Sequence, residues 1–551
     1  LAVGEVFVPE AGASGITSCL RGVATGSSEY AVAIVSTAPE YATVASLDVV
    51  AVGNAGPITA PITAPIIGET SSLVTPPGSA ASGVVTMLDE SAHSANPVRA
   101  AELARRTTER RELAALVSDA REWLPQAAMV RSVAEAKVGD ILRLNANASI
   151  ACRSADTRTA RVAAVGTRAI VVADTANPTG GYTDAEYASI VATFDTLVYP
   201  VDTTAFGAPS NISAYGKIIL FYTRNVNALT PSGANYTIGG FFFARDLYPK
   251  TARGRLQGCS ASNEQEMFYL LVPDPNGTVN SNRRTKEQVT LLNLGTIAHE
   301  FQHLINASRR LYVTPNAVAS EETWLDEGLS HVAEELLFFR ISGYTSRQNL
   351  LLADVNRQSA NFANYASQNF ARYFSFLVSP EVNSPYAPND SLSTRGAIWS
   401  FLRYSAGRQG EGGEPAFFHA LVNSPQTGFA NLSAATGGRI ADYLRDWAVS
   451  VIADDYSVAQ TALLAPQYTF PSWNFRNVYP GLRFAGGIPL GVYPVRTIPL
   501  QNNAPRSITL VGGASSYVRF SIATGRDALL HMTSNGGPLP STLRYSIVRL
   551  R

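Results

Sequence analysis

Up to about residue 85 the chain runs in short apolar, β-branched stretches set off by Gly, Ser and Pro, such as Glu5-Val6-Phe7-Val8 and Tyr30-Ala31-Val32-Ala33-Ile34-Val35. Runs of this length between turn residues predict strands, and together they predict an N-terminal β-sandwich over residues 1–95. Within it, Thr59-Ala60-Pro61 and Thr63-Ala64-Pro65 repeat over too short a span for a solenoid and read as an extended loop. Val98 to Arg121 alternates Glu and Arg around Leu103, Leu113 and Leu116, which predicts a charged, solvated helical linker over 96–135. Residues 136–175 return to strands, at Asp140 to Leu144, Ala160 to Val165 and Ala169 to Val172, and predict a small β-barrel. From 176 to 465 strand-like runs come first, at Lys217 to Tyr222, Gly240 to Phe243 and Met267 to Val272, and helical periodicity then dominates from about 286. Strands followed by helices predict an α+β domain. Residues 466–551 hold further strands, at Ser507 to Val511, Tyr517 to Ile522 and Leu543 to Leu550, and predict a C-terminal β-sandwich.

The candidate chemistry lies inside one of the helical patterns. Leu291, Leu294, Ile297, Phe301 and Leu304 recur every three to four residues, and between them stands His299-Glu300-Phe301-Gln302-His303. On a helix the i, i+4 spacing puts both imidazoles on one face, where they can converge on a single zinc ion. Glu300 projects beside them, placed to take a proton from a metal-activated water. Chance produces H-E-x-x-H in about 0.2 to 0.3% of chains of this composition, so coincidence explains it poorly. A third ligand is needed. A histidine of the H-E-x-x-H-x-x-G-x-x-H type is excluded, because Asn306 and Arg309 occupy the Gly and His positions. A second helical pattern at Trp324-Leu325-Asp326-Glu327-Gly328-Leu329-Ser330-His331 carries Glu327 and His331 opposite its apolar face. Glu327 is the expected third ligand, with Asp326 and Glu322 as competitors.

Composition narrows the partners. The 551 residues hold 43 basic and 43 acidic side chains, and only 16% of the chain is charged, which leaves no field for gathering nucleic acid or an anionic surface. A chain this long exceeds what one core serves, so several domains are expected. No apolar run reaches membrane-spanning length; the stretch near 42–67 is broken by Asp48, Gly53, Pro57, Pro61 and Pro65. The chain opens at Leu1 without a methionine, which fits either removal of a signal peptide or trimming. Cys19, Cys152 and Cys259 have neither zinc-cluster nor redox-pair spacing, and allow one disulfide plus a free thiol or three free thiols.

His299 to Asn306, Trp324 to His331 and, less specifically, Thr394-Arg395-Gly396-Ala397-Ile398-Trp399 resemble the secreted bacterial gluzincins of the hyicolysin type, with a weaker likeness to the gluzincin aminopeptidases. The resemblance covers roughly residues 200 to 460. It implies a thermolysin-like core, bound zinc, secretion or a place on the bacterial cell surface, and endopeptidase action on protein or peptide substrates. Two departures qualify it. The aminopeptidases place a transition-state tyrosine three residues before the Gly-Ala pair, where this chain has Ser393, so an oxyanion donor must come from elsewhere. His331 either fills that role or orients a ligand, and Tyr386 is a second candidate. No segment near Gly239-Gly240 has the form that binds a free amino terminus, which favours an endopeptidase.

Two other classes of function fit the same residues: an adhesion or binding protein with an inert core, and a zinc hydrolase acting on a non-peptide amide or on its own precursor. The intact Glu300 speaks against the first. His93, His419 and His531 have no ligand-spaced partners and read as structural. Asp454-Asp455 and Asp274-Pro275-Asn276-Gly277 are the only hints of calcium, and neither approaches an EF-hand pattern. A monomer is expected, with zinc as its metal.

Overall fold

The structure, a computed structural model, describes residues 1–9, 16–24, 26–61, 107, 109–118, 122, 124, 135–149, 152–213, 215–234, 236–457, 460, 462–483 and 489–551. The Thr63-Ala64-Pro65 repeat, His93 and most of the expected linker helix lie outside these residues. Inside them, residues 109–114 are helical. This turn is not wholly solvated, because Leu113 is buried and its carbonyl accepts a hydrogen bond from the Tyr248 hydroxyl.

Five strands come from the N-terminal part: β1 (Val6–Phe7), β2 (Ile16–Arg21), β3 (Ser28–Ser36), β4 (Ala45–Gly53) and β5 (Ala55–Pro57). The middle contributes β6 (Ile141–Asn145), β7 (Thr157–Val165), β8 (Ala169–Asp174), β9 (Ile218–Tyr222), β10 (Gly240–Phe242) and β11 (Met267–Leu270). Helices α1 (Asp184–Thr193) and α2 (Tyr199–Phe206) form the crossover between the parallel strands β8 and β9. After β11 come the helices α3 (Lys286–Tyr312), α4 (Thr323–Ser342), α5 (Ser367–Leu377), α6 (Leu392–Gly407) and α7 (Ile440–Ala453), with shorter ones between. The chain closes with β12 (Ile498–Pro499), β13 (Arg506–Leu510), β14 (Ser515–Ile522), β15 (Asp527–Thr533) and β16 (Leu543–Arg549). The molecule is a multidomain α+β protein with several sheets.

The two ends of the chain do not form separate sandwiches. β3 pairs with β14 on one side and β16 on the other, and β4 lies between β13 and β15. Val32 stands opposite both Val518 and Ile547. One sandwich therefore contains strands from both termini, with Val32, Ile34, Leu47, Val49, Phe520, Leu530 and Ile547 in its core. An N-terminal half alone would leave β3 and β4 with open edges on both sides. β3 is buried along its whole length. Val32 and Ile34 enter the sandwich, whereas Ala31, Ala33 and Val35 join the large core of the helical region, where β3 packs against α7.

The expected barrel over 136–175 is likewise replaced. β6, β7 and β8 form an antiparallel meander that continues through parallel β9 and β11 into antiparallel β10, giving one six-stranded sheet in the order β10-β11-β9-β8-β7-β6. β8 pairs with β9, with Val171 opposite Leu220, so the β8 edge that a barrel would close onto β6 is already taken. Cys152 and Cys259 form a disulfide, and Cys19 is free and exposed. No helix among the described residues is long and apolar enough to cross a membrane.

Candidate metal centre

α3 begins at Thr285, whose hydroxyl accepts from the Gln288 amide while the Gln288 side chain accepts from the Thr285 amide. Arg309 and Arg310 lie in its last turn, where cations complement the helix dipole. Between these ends, His299, Glu300 and His303 are all buried. Their helical spacing brings the two imidazoles together edge to face, with Nε2 to Nε2 at 3.1 Å.

α4 supplies the carboxylate. Glu327, fully buried, has Oε2 at 3.4 Å from His299 Nε2 and Oε1 at 3.7 Å from His303 Nε2. Ligand atoms about 2.0 to 2.1 Å from one zinc ion at tetrahedral angles stand about 3.3 Å apart, close to all three separations. The competing carboxylates point elsewhere. Asp326 lies at 2.8 Å from His303 Nδ1, the nitrogen facing away from the cluster, and Glu322 sits half exposed beside Arg110.

The far sides of the imidazoles fix their tautomers. His299 Nδ1 is 2.8 Å from Glu334 Oε1, and His303 Nδ1 is 2.8 Å from Asp326 Oδ2. Burial raises the carboxyl of Glu334, but His331 and Arg372 outweigh it and hold the group below its ordinary range. For Asp326 burial is likewise outweighed, by His303 and the Asn306 amide. An ionised acid can only accept, so each Nδ1 donates, which leaves Nε2 as the nitrogen on each ring that can offer a lone pair to a metal. Two imidazole lone pairs and a carboxylate thus converge on one point, an arrangement that a cation satisfies. The residues fit a divalent metal.

Glu300 is held beside this point. Its Oε2 accepts the Phe242 amide at 2.8 Å, which ties α3 to β10 at the edge of the sheet. The glycine before Phe241 permits this approach: a Cβ on Gly240 would stand 2.7 Å from the Tyr269 carbonyl and 2.9 Å from Thr296 Cγ2.

His331 packs against His299 with no exposed surface. Its Nδ1 is 3.2 Å from Glu334 Oε1 and 3.1 Å from Arg372 Nη1, and its Nε2 is 3.9 Å from Glu327 Oε2. Burial, reinforced by Arg372, pushes its pKa well down, so the ring is neutral. His299, His331 and Glu334 make a second cluster of ligand-type atoms. There the Arg372 guanidinium, also 3.4 Å from Glu334 Oε2, already supplies the positive charge. Tyr386 is not part of this centre as arranged: its hydroxyl donates to the Ala38 carbonyl at 2.6 Å. His419 is exposed on its helix, and His531 Nδ1 pairs with the Thr17 hydroxyl. The Asp274 carboxylate is taken up by Thr278 and the Val279 amide within its own turn.

Three residues that the sequence reading gave no role stand close by. Glu334 bridges His299 and His331, Arg372 backs Glu334, and Arg395 Nη1 lies 2.9 Å from Glu327 Oε2. Glu334 follows Glu327 by seven residues, two helical turns, and shares its face; that spacing was its only signal. Arg372 and Arg395 come from α5 and α6, which glycines allow to pack tightly. A Cβ on Gly396 would fall 2.2 to 2.3 Å from the Arg372 carbonyl and the Tyr373 nitrogen, and one on Gly328 would fall 2.6 Å from Ile398 Cγ1.

Two imidazoles and a carboxylate on adjacent helices of an α+β protein define a candidate metal-dependent hydrolase. Among known proteins, the chain is 30% identical over 204 residues to the neutral metalloprotease ShpI of Staphylococcus hyicus, which supports a metallopeptidase family. The match takes in 35% of this chain and 42% of the length of that protein. No family model matches the chain.

Proposed function

We propose that this chain is a zinc-dependent endopeptidase that acts outside the cell on protein substrates, with His299, His303 and Glu327 as metal ligands and Glu300 as general base. The observation that carries the reading is the convergence of both Nε2 lone pairs and the Glu327 carboxylate, with Glu300 fixed alongside by the Phe242 amide. Zinc held by His299, His303 and Glu327 would supply Lewis acidity toward the scissile carbonyl and toward water. The Glu300 carboxylate takes a proton from the attacking water as its oxygen adds to the carbonyl carbon. The same carboxyl returns that proton to the nitrogen as the C–N bond breaks. Glu334 and Asp326 keep the two imidazoles in the tautomer that binds metal. His331, buried and joined to Glu334, suits the second of its two expected roles, orienting a ligand. β10 beside the centre offers an extended peptide an edge strand to pair with, which suits a protein substrate.

The test is hydrolysis of unfolded casein with and without a zinc chelator, alongside Glu300→Gln. Chelator-sensitive cleavage that disappears in Glu300→Gln at unchanged zinc content supports the reading. Cleavage indifferent to both removes it.

A further inference from the structure

Peptide hydrolysis by water places negative charge on the former carbonyl oxygen, and a donor aimed at that oxygen is worth about 10² to 10³ in rate. The residue at the tyrosine position and the two side chains considered in its place are poorly suited to this task. Ser393 stands where a tyrosine would be needed, Tyr386 donates to the Ala38 carbonyl, and His331 has no exposed surface. Arg395 differs from them in three respects.

Its side chain is 15% exposed, so part of it meets solvent beside the fully buried Glu327. Its Nη1 lies 2.9 Å from Glu327 Oε2, which puts it within about 5 Å of any zinc held by that carboxylate. Its orientation is fixed from behind: Nε and Nη2 each donate at 2.8 Å to the two oxygens of Asp390. A two-point clamp of this kind holds the guanidinium plane and leaves it little to reorganise during reaction. Asp390 itself has φ of 47°, in the left-handed region that few residues other than glycine adopt. The neighbouring Gly396 lets α6 press against α5 at this level.

We infer that Arg395 is a catalytic residue whose guanidinium binds the scissile carbonyl oxygen and stabilises the charge that grows there, with Asp390 as its positioning residue. The inference rests on the zinc-peptidase reading. The rival role for Arg395 is to neutralise and hold Glu327, and the two roles differ in what they do to zinc.

The experiment compares wild type, Arg395→Ala, Arg395→Lys and Asp390→Asn as full chains, each with its zinc content measured. It reads kcat and KM on one peptide, the dissociation constant of a phosphonamidate peptide that mimics the tetrahedral stage, and the zinc dissociation constant by chelator competition. For Arg395→Ala, kcat should fall about 10² to 10³-fold with KM little changed, and the phosphonamidate should weaken in step with kcat/KM. Zinc affinity should stay within about threefold of wild type, and added guanidinium should restore part of the rate. Arg395→Lys keeps the charge but loses the planar fork, and Asp390→Asn loosens the clamp, so both should be intermediate. Unchanged kcat, unchanged phosphonamidate affinity, or zinc loss in both arginine variants overturns the inference. A wild type without chelator-sensitive hydrolysis removes the peptidase reading and this inference together, whereas an active wild type with an unimpaired Arg395→Ala removes this inference alone.

Discussion

Glu334→Gln tests the least conspicuous member of the centre. The amide keeps the shape of the side chain, so what is lost is charge. Glu334 Oε1 receives His299 Nδ1–H at 2.8 Å, and Oε2 faces Arg372 at 3.4 Å. A hydrogen bond to an ionised buried partner contributes about 1.5 to 3 kcal/mol, against about 0.5 to 1.5 for a neutral one. The difference, about 1 to 2 kcal/mol, corresponds to a factor of about 5 to 30 in binding at about 1.4 kcal/mol per decade. Turning the amide so that its NH₂ faced His299 would deepen the loss, because the ring could then no longer donate, and losses of about 10 to 100-fold follow removal of such partners. The measurement is the zinc dissociation constant by competition with a chromophoric chelator, with circular dichroism confirming the fold. Zinc affinity in Glu334→Gln within twofold of wild type would refute the claim that Glu334 sets the tautomer of His299.

Glu300→Gln should retain fold and zinc while kcat falls by about 10² to 10⁴-fold, read on a fluorogenic peptide at matched zinc content. Gly396→Ala should destabilise by about 1 to 3 kcal/mol or more, because its Cβ would meet the Arg372–Tyr373 backbone, which cannot rotate away; denaturant midpoints report it. Removing zinc should lower the melting temperature reversibly, since free metal at about 1,000 times its dissociation constant adds about 4 kcal/mol to the folded state. Glu335, buried beside Arg403 and Trp473, has its pKa raised by burial to about 7. Its favourable contribution is therefore complete below its unfolded value, near 4.5, and is lost as pH rises through about 7. Glu335→Gln should flatten that part of the stability profile between pH 5 and 8, and an unchanged profile would show that another group titrates there.

The parts of this molecule that were legible in its sequence are those fixed by local periodicity. His299 and His303 are one helical turn apart, so their convergence needs only that the segment be helical, and Glu327, rather than Asp326, is the carboxylate that approaches both Nε2 atoms. The strands at 217–222, 240–243 and 267–272 were visible for the same reason. What was not legible depends on partners distant in the chain. The run Tyr30 to Val35 announces a strand, but its neighbours Val518 and Ile547 lie about five hundred residues on, and no local pattern names them. The run did carry one unused clue: it is continuously apolar rather than alternating, the mark of a strand buried on both faces. Arg372 and Arg395 were invisible for a related reason, since an arginine on a mostly apolar helix reads as surface until the crossing with α4 is known.

The charge around the centre bears on which ion it accommodates. Asp326, Glu327, Glu334, Asp390 and Glu300 gather on α3, α4 and the loop before α6, with Arg372 and Arg395 as the guanidinium groups that contact them most closely at the core of the site. His331 is held neutral by burial and by Arg372, and His299 and His303 turn Nδ1 toward Glu334 and Asp326. Carboxylates thus outnumber the nearby cations, and most of them are buried, where unbalanced charge is costly. A monovalent ion would leave most of that excess, and a well-packed apolar core would have no use for it. A divalent ion at the point where the three ligand atoms meet offsets two charges. The proton that Glu300 would take up under the proposed mechanism offsets a third. The same excess that makes the empty cluster unfavourable therefore favours both the dication and the protonated intermediate form of the base, which joins the stability of the site to the step it would catalyse.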